Sequence, residues 1–361
     1  MSAIYIAGAH SRAQTLGYYL KYLNPETQIL AYLYDDDENN PLSIDGVPVI
    51  KINTNSVLNA ECSAYIGTRG ANFENISNTL RACGIRKIIM ADVKFDIEIR
   101  NRFLKRYYES IGKEYRKITD ECFNCCKSDK DDKKVAIYVV QSAFDKPLQY
   151  PYHLKKEERL IQVGASLAKG DWQMDYADNI GDNISEKNSQ FCELTGLYWI
   201  WKNAQEDAVG LEHYRRHFIL PDDWINRMVE NDIDVILPTP LCVRPNIEDN
   251  FRNRHLGLIW DAMLECVKED RPDEYNELAC FFAETGIYSP CNMFIMKKEV
   301  LNKLCKWMFP ILFAVNEKIG EIEDKYQNRY PGFLSERLIS FYFEKHNDEY
   351  NVVYSDKSFL S

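Results

Sequence analysis

The sequence predicts a two-domain α/β protein, with a Rossmann-like parallel-sheet domain over residues 1–119 and a mixed-sheet domain over residues 135–361, joined by a charged connection at 120–134. A chain of 361 residues exceeds what one hydrophobic core usually organises. Short apolar runs alternate with helix-period segments in the N-terminal part, as crossover-linked parallel strands require. Residues 120–134 (DECFNCCKSDKDDKK) are charged and aperiodic. Directly after them Val135–Gln141 (VAIYVVQ) reads as the first buried strand of a new sheet.

Residues 3–8 (AIYIAG) read as a strand, followed by a His10-Ser11-Arg12 turn and a helix over Ala13–Tyr22. A second strand at Ile29–Tyr34 ends in Asp35, Asp36 and Asp37. Then come GVPVI, a strand at Ala64–Gly67, a helix around Asn75–Cys83, and RKIIMA. Of a G-x-G-x-x-G phosphate loop only Gly8 survives, so NAD is not expected here. A carboxylate ending the second strand can hold a ribose hydroxyl, but aspartates end strands as turn formers too, and the turn reading is favoured. The run from Asp35 through GVPVI, within about residues 1 to 95, resembles the small Rossmann-like N-terminal domain of bacterial sugar acyltransferases.

With 55 acidic against 44 basic side chains and a net charge of −11, a broad nucleic-acid footprint is excluded. The opening MSAIYIAGAHSRAQ reads as a strand and not as a signal peptide, so a cytoplasmic location is expected, with a peripheral position at the inner face of the plasma membrane left open. Eleven scattered cysteines suit a reducing compartment. Cys122, Cys125 and Cys126 form a CxxCC cluster, but no second pair completes a zinc tetrahedron. Trp307–Val315, interrupted by Pro310, falls far short of the roughly 20 residues that span a bilayer. Its Trp307–Phe313 part could touch a membrane surface, although such a segment is more often core.

The most informative stretch runs from Asp178 to Phe218. Asn188 or Ser189 can cap a helix in which Phe191, Leu194, Leu197, Tyr198 and Trp201 form one buried stripe. Before it, Asp182, Asn183, Ser185, Glu186, Lys187 and Asn188 make a polar turn that suits phosphate or sugar hydroxyls, or equally a solvated, self-capping turn. Ala208–Glu212 reads as a strand with His213, Tyr214, Arg215, Arg216 and His217 at its carboxyl end, where open α/β sheets bind ligands. Paired arginines can grip a diphosphate. Ile233–Leu237 and Asn292–Met296 are strand-like. Tyr330–Phe343 begins as a Pro331-Gly332 turn and becomes a helix, with Glu336 placed either to take a proton from an attacking hydroxyl or to serve as a first-turn ion-pair residue.

Taken together, NIGDNISEKN, ELTGLYWIWKN, GLEHYRRHF, NMFIMKK and GFLSERL resemble the bacterial family known as domain of unknown function 4422, over roughly residues 134–361. The resemblance implies a GT-A-like glycosyltransferase of capsular or surface polysaccharide synthesis. It would move a hexosyl group, galactofuranosyl being one option, from a UDP-sugar to a hydroxyl of an oligosaccharide acceptor, lipid-linked and with inversion. Glu336 and His213 become the catalytic candidates. Asp182, Asn183, Lys187, Asn188, Arg215 and Arg216 become donor-binding, and Asn292 and Gly332 acceptor-binding. Glu212 departs from the small or apolar residue expected before the His-Tyr-Arg-Arg run, and Gln141-Ser142 replaces an expected His-Lys pair. No Asp-x-Asp follows a buried strand in this domain, so arginine and histidine are expected to neutralise the diphosphate. If a metal serves, Mg2+ or Mn2+ is the natural choice. The rival readings are a non-catalytic nucleotide-sugar or glycan binding subunit, and a nucleotide-sugar-modifying enzyme that uses the first domain. Oligomeric state is left open.

Overall fold

In the first unit of the computed structural model, strands β1 (Ala3–Ala7), β2 (Gln28–Tyr34), β3 (Ser43–Ile44), β4 (Val47–Lys51), β5 (Ser63–Ile66) and β6 (Lys87–Met90) form one sheet in the order β3-β4-β2-β1-β5-β6. All neighbours pair in parallel except β3 with β4. Helices α1 (Ser11–Leu23) and α2 (Phe73–Ala82) make crossovers that parallel pairing demands, and α3 (Val93–Ser110) follows β6 and packs its Phe103 against Tyr18 and Tyr19 of α1. This is the expected Rossmann-like arrangement. The structure describes residues 3–37, 39–68, 70–121, 133–169 and 174–360, and the chain divides into units Met1–Tyr115 and Arg116–Ser361. Most of the expected 120–134 connection, with Cys122, Cys125 and Cys126, lies outside the described residues.

The second unit carries strands β7 (Val135–Ser142), β8 (Glu158–Val163), β9 (Tyr176–Ala177), β10 (Ala208–His213), β11 (Arg216–Phe218), β12 (Val235–Pro238), β13 (Leu241–Cys242), β14 (Ile287–Tyr288), β15 (Phe294–Lys297), β16 (Val352–Ser355) and β17 (Lys357–Phe359). Its main sheet runs β16-β12-β15-β10-β7-β8-β9, with β11 and β17 attached beside β10. The sheet is mixed, as expected, because β15 alone on that path runs antiparallel to its neighbours β10 and β12. Ala136–Val140 in β7 are all buried, the signature of a strand covered on both faces.

Helices of this unit are α4 (Asn188–Phe191), α5 (Leu194–Asn203), α6 (Trp224–Glu230), α7 (Ile247–Arg254), α8 (Gly257–Asp270), α9 (Pro272–Glu284), α10 (Lys298–Ile319) and α11 (Tyr330–Lys345). One core gathers β7, β10 and β15 residues with α5, α8, α10 and α11. Pro310 sits inside α10 and does not end it. Met308, Phe309, Ile311 and Leu312 are buried and Trp307 and Phe313 half-buried against the same core, so the Trp307–Phe313 segment packs mainly as core. Among the described residues no helix is long and apolar enough to cross a membrane. Helix α11 also begins earlier than expected. Pro331 and Gly332 lie within its first turn, where the missing proline N–H is harmless, and do not form a separate turn.

Candidate functional site

Strand directions select the place. Strands β7, β8 and β10 run parallel and end at one edge, and β15, antiparallel to β10, begins there. The loops of that edge deliver Asp145 after β7, His213 at the end of β10, Arg216 at the start of β11, and the Cys291-Asn292 turn before β15. Carboxyl edges of this kind are where open α/β sheets collect ligands. A separate cavity of about 660 Å³ lies at the opposite edge, beside Val135, Ala208, Lys297 and Lys298. Two of its lysines are already committed, Lys297 to Asp232 and Asp234 and Lys298 to the carbonyls of Ile200 and Trp201.

The single helix expected from Asn188 or Ser189 to Trp201 is broken. Cys192 stands between α4 and α5 at φ +48° and ψ −125°, a backbone state that costs a residue with a Cβ on the order of 1–3 kcal/mol. Asn188 stabilises the break, its amide donating to the Cys192 carbonyl at 2.7 Å and to Thr195 Oγ1 at 2.9 Å. Gly164, at φ +65°, leaves room for Asn188, since a Cβ there would lie 2.6 Å from Asn188 Oδ1. The break aims Glu193 at Asn292.

Asn292 is 2% exposed and uses every polar atom of its side chain. Its Nδ2 donates to Glu193 Oε1 at 2.8 Å and to the Gly332 carbonyl at 3.0 Å, and its Oδ1 accepts from Ser335 Oγ at 2.7 Å. It therefore orients Glu193, with both amide hydrogens committed inside the protein. Gly332 packs beside the same pair, where a Cβ would make only ordinary contact, 3.7 Å from Glu193 Oε1 and 3.9 Å from Asn292 Nδ2, so closeness does not demand a glycine. The second oxygen of Glu193 has no hydrogen-bond partner among the described residues.

Cys291 and Asn292 both have positive φ, +77° and +51°. The Cys291 N–H donates to Glu336 Oε1 at 2.6 Å, and its carbonyl lies 2.6 Å from His213 Nε2. A carbonyl can only accept, so Nε2 carries the proton and Nδ1 keeps its lone pair. Burial pushes the His213 pKa down, and the nearby Arg216 pushes the same way against Glu193, so the imidazole is neutral near pH 7. Glu336 is not the free base expected of it. Its other oxygen pairs with Arg337 Nη1 at 2.6 Å, and Arg337 is itself buried. Burial raises the Glu336 pKa against the opposing pull of Arg337 and the Cys291 N–H.

The adjacent arginines part company. Arg215 donates to the Tyr214 hydroxyl at 2.8 Å and to the carbonyls of Lys146 and Pro147 at 3.0 Å, which fastens the loop after β7. Arg216 faces the Phe359 ring at 5.5 Å and has no carboxylate or hydrogen-bond partner among the described residues. Asp145 accepts from the Ser142 N–H at 2.7 Å. Burial raises its pKa, while His213, Arg329 and Arg215 pull it down. Arg329, just before α11, donates from Nε to Cys192 Sγ at 3.0 Å.

The polar turn before α4 is largely a self-capping one. Asp182 accepts from Tyr198 Oη at 3.2 Å and meets Lys202 at 3.5 Å on the outer face of α5. Asn183 closes its own turn, accepting from Ser185 N–H and donating to the Gly181 carbonyl. Neither shares a partner with the cluster around Glu193. Lys187 is half-buried and its ammonium has no partner among the described residues. A helix as short as α4 also lacks the aligned dipole expected to attract phosphate. Asn188 alone reaches the site, from behind, through Cys192.

Glu212, the departure before the His-Tyr-Arg-Arg run, is fully buried. Its Oε1 accepts from the Phe218 N–H at 2.7 Å and its Oε2 from His217 Nδ1 at 2.9 Å, a clamp across the base of the hairpin that carries His213 and Arg216. Glu158 lies beside it, holding the Tyr152 hydroxyl and the Lys155 N–H. Burial pushes His217 down, but the two carboxylates prevail and hold its pKa up at about 9. Among the described residues Glu158, Glu212 and His217 are the one trio spaced to hold a metal. Their four carboxylate oxygens are already engaged around a protonated imidazole, so the set does not fit a Mg2+ or Mn2+ bridging a diphosphate.

The family model described as Domain of unknown function (DUF4422) matches residues 143–348, more than half of the chain. The chain belongs to this family. Every residue of the DUF4422 site just described, from Asp145 to Glu336, falls inside that match. The fold is also similar to the apo structure of WbbM, a bifunctional glycosyltransferase, with a TM-score of 0.56 and 25% identity over 63% of this chain. The similarity covers 45% of the WbbM chain, so this protein corresponds to less than half of that neighbour. No functionally curated protein matches the sequence.

Sequence reasoning found His213, Arg216, Asn292 and Glu336 but passed over Glu193, Asp145 and Arg329. Glu193 was visible as the first letter of ELTGLYWIWKN, where an acidic residue at a helix start reads as a dipole partner. Only the left-handed backbone at Cys192 turns it inward.

Proposed function

We propose that this DUF4422 protein is a glycosyltransferase whose second unit moves a hexosyl group from a UDP-sugar to a hydroxyl of a surface-polysaccharide intermediate, with inversion. The observation that carries the reading is a guanidinium without a hydrogen-bond or carboxylate partner among the described residues, Arg216, and a half-free carboxylate, Glu193, both within electrostatic reach of His213 at the carboxyl edge of the sheet. As the anomeric C–O bond to the diphosphate breaks, negative charge collects on the leaving oxygen, and a positioned cation stabilises it most when water is excluded. Arg216 fills that role, with Arg329 also within electrostatic reach of Glu193.

The acceptor hydroxyl must lose its proton as its oxygen bonds to the anomeric carbon. Glu193 takes it, held in aim by Asn292, and UDP leaves with the electron pair of the broken bond. Neutral His213, with Nε2 tied to Cys291, offers Nδ1 as an acceptor for a donor-sugar hydroxyl. Glu336 acts through the Cys291 peptide and not on substrate. No step is assigned to a metal.

The test is UDP release from a panel of UDP-hexoses, galactofuranosyl included, with and without oligosaccharide acceptors. Turnover that falls at least about tenfold in Arg216→Ala supports the assignment. Binding of UDP-sugars without any UDP release by the wild type would instead make the chain a binding subunit.

A further inference from the structure

Next to the proposed site is an aromatic surface that the transfer chemistry does not use. Tyr326, 51% exposed, lies 5.0 Å from the ring of Phe333 and 5.7 Å from that of His255, nearly parallel to the latter at 21°. His255 and Phe333 stack beneath at 4.2 Å and 26°. Burial drives the His255 pKa down to about 4, so this base is uncharged near pH 7. The Tyr326 hydroxyl has no hydrogen-bond partner among the described residues.

The loop that carries Tyr326 is braced. Asp324 Oδ1 accepts from the N–H groups of Tyr326 and Gln327 at 2.8 and 2.9 Å. Asn328 Oδ1 accepts from the Ile322 N–H at 2.9 Å and from Gln190 Nε2 at 3.1 Å, which ties the loop to α4 just ahead of Cys192. Arg329 follows, within electrostatic reach of both Glu193 and Tyr326. A rigid, exposed aromatic face thus stands one arginine away from the carboxylate assigned as base. Ligand sites combine such faces with a few placed polar groups, and an aromatic ring covers the contiguous C–H face of a hexopyranose while leaving its hydroxyls wet.

We propose that Tyr326, seated on Phe333 and His255, is a glycan subsite that stacks a pyranose ring of the acceptor and presents its hydroxyl to Glu193. The proposal rests on the transferase reading for its orientation, but the contact itself does not need turnover. The probe is methyl β-galactopyranoside, whose ring exposes adjacent C–H bonds on one face, followed by saturation-transfer NMR on the full chain. Ring-proton saturation is expected with the wild type and with Tyr326→Phe, and about three- to tenfold weaker binding with Tyr326→Ala. Equal saturation in Tyr326→Ala, or none in the wild type, overturns the subsite. If wild-type protein never releases UDP yet shows Tyr326-dependent saturation, the transferase reading fails and the subsite stands.

Discussion

Glu212 accepts a hydrogen bond from His217 Nδ1 at 2.9 Å inside the closed base of the β10–β11 hairpin, and this pair makes the fold sensitive to alkali. The pKa of His217 is raised from its ordinary 6.5 to about 9. A group whose folded pKa lies above its unfolded one stabilises the fold fully below the unfolded value, and that stabilisation fades as pH rises through the folded value. The melting temperature should therefore decline between about pH 6.5 and pH 9. In His217→Phe that part of the decline should vanish, while the whole curve drops because Glu158 and Glu212 face each other unneutralised. An identical pH dependence in both proteins would remove His217 as its source.

The two arginines of the hairpin should separate cleanly. Arg216→Ala is expected to keep its unfolding free energy within about 0.5 kcal/mol of the wild type and to lose at least about tenfold in turnover. Arg215→Ala strips the Lys146 and Pro147 carbonyls of their donor, so it should loosen the loop after β7 and raise KM before it lowers kcat. Thermal melts beside steady-state kinetics decide this, and a reversed pattern would exchange the two roles.

Glu193→Gln preserves size and the Asn292 contact but cannot take a proton. A loss of kcat of about 10²- to 10⁴-fold is expected, with donor affinity retained. Retention of wild-type kcat would pass the role of base to another group.

Glu336→Ala tests the opposite kind of residue. It leaves Arg337 buried without its carboxylate, which should destabilise the fold by about 3–5 kcal/mol, seen as a lower midpoint in urea. Were Glu336 instead the base, Glu336→Gln would abolish turnover far out of proportion to its loss of stability.

How much of this was legible depends on the kind of signal. The apolar run of β7 and the His213–Arg216 segment behind β10 could be read directly, since burial on both faces writes a continuous hydrophobic string and a strand end fixes where its next residues emerge. The Glu336 to Cys291 contact could not be read, because it joins a helix to a turn distant in sequence through a backbone N–H that carries no side-chain signature. Likewise Asp182 and Asn183 had the composition of a ligand turn. Only the positions of Tyr198, Lys202 and the Ser185 N–H reveal that the turn satisfies itself.

The interruption at Cys192 also limits how this segment can vary in length. Each residue of a helix advances its side chains by roughly 100°, so losing or gaining one position between Asn188 and Leu194 would swing the carboxylate at 193 about a quarter-turn away from Asn292. Substitutions along α4 can be absorbed by local repacking, whereas a single insertion there would leave the protein folded and its carboxylate pointing elsewhere.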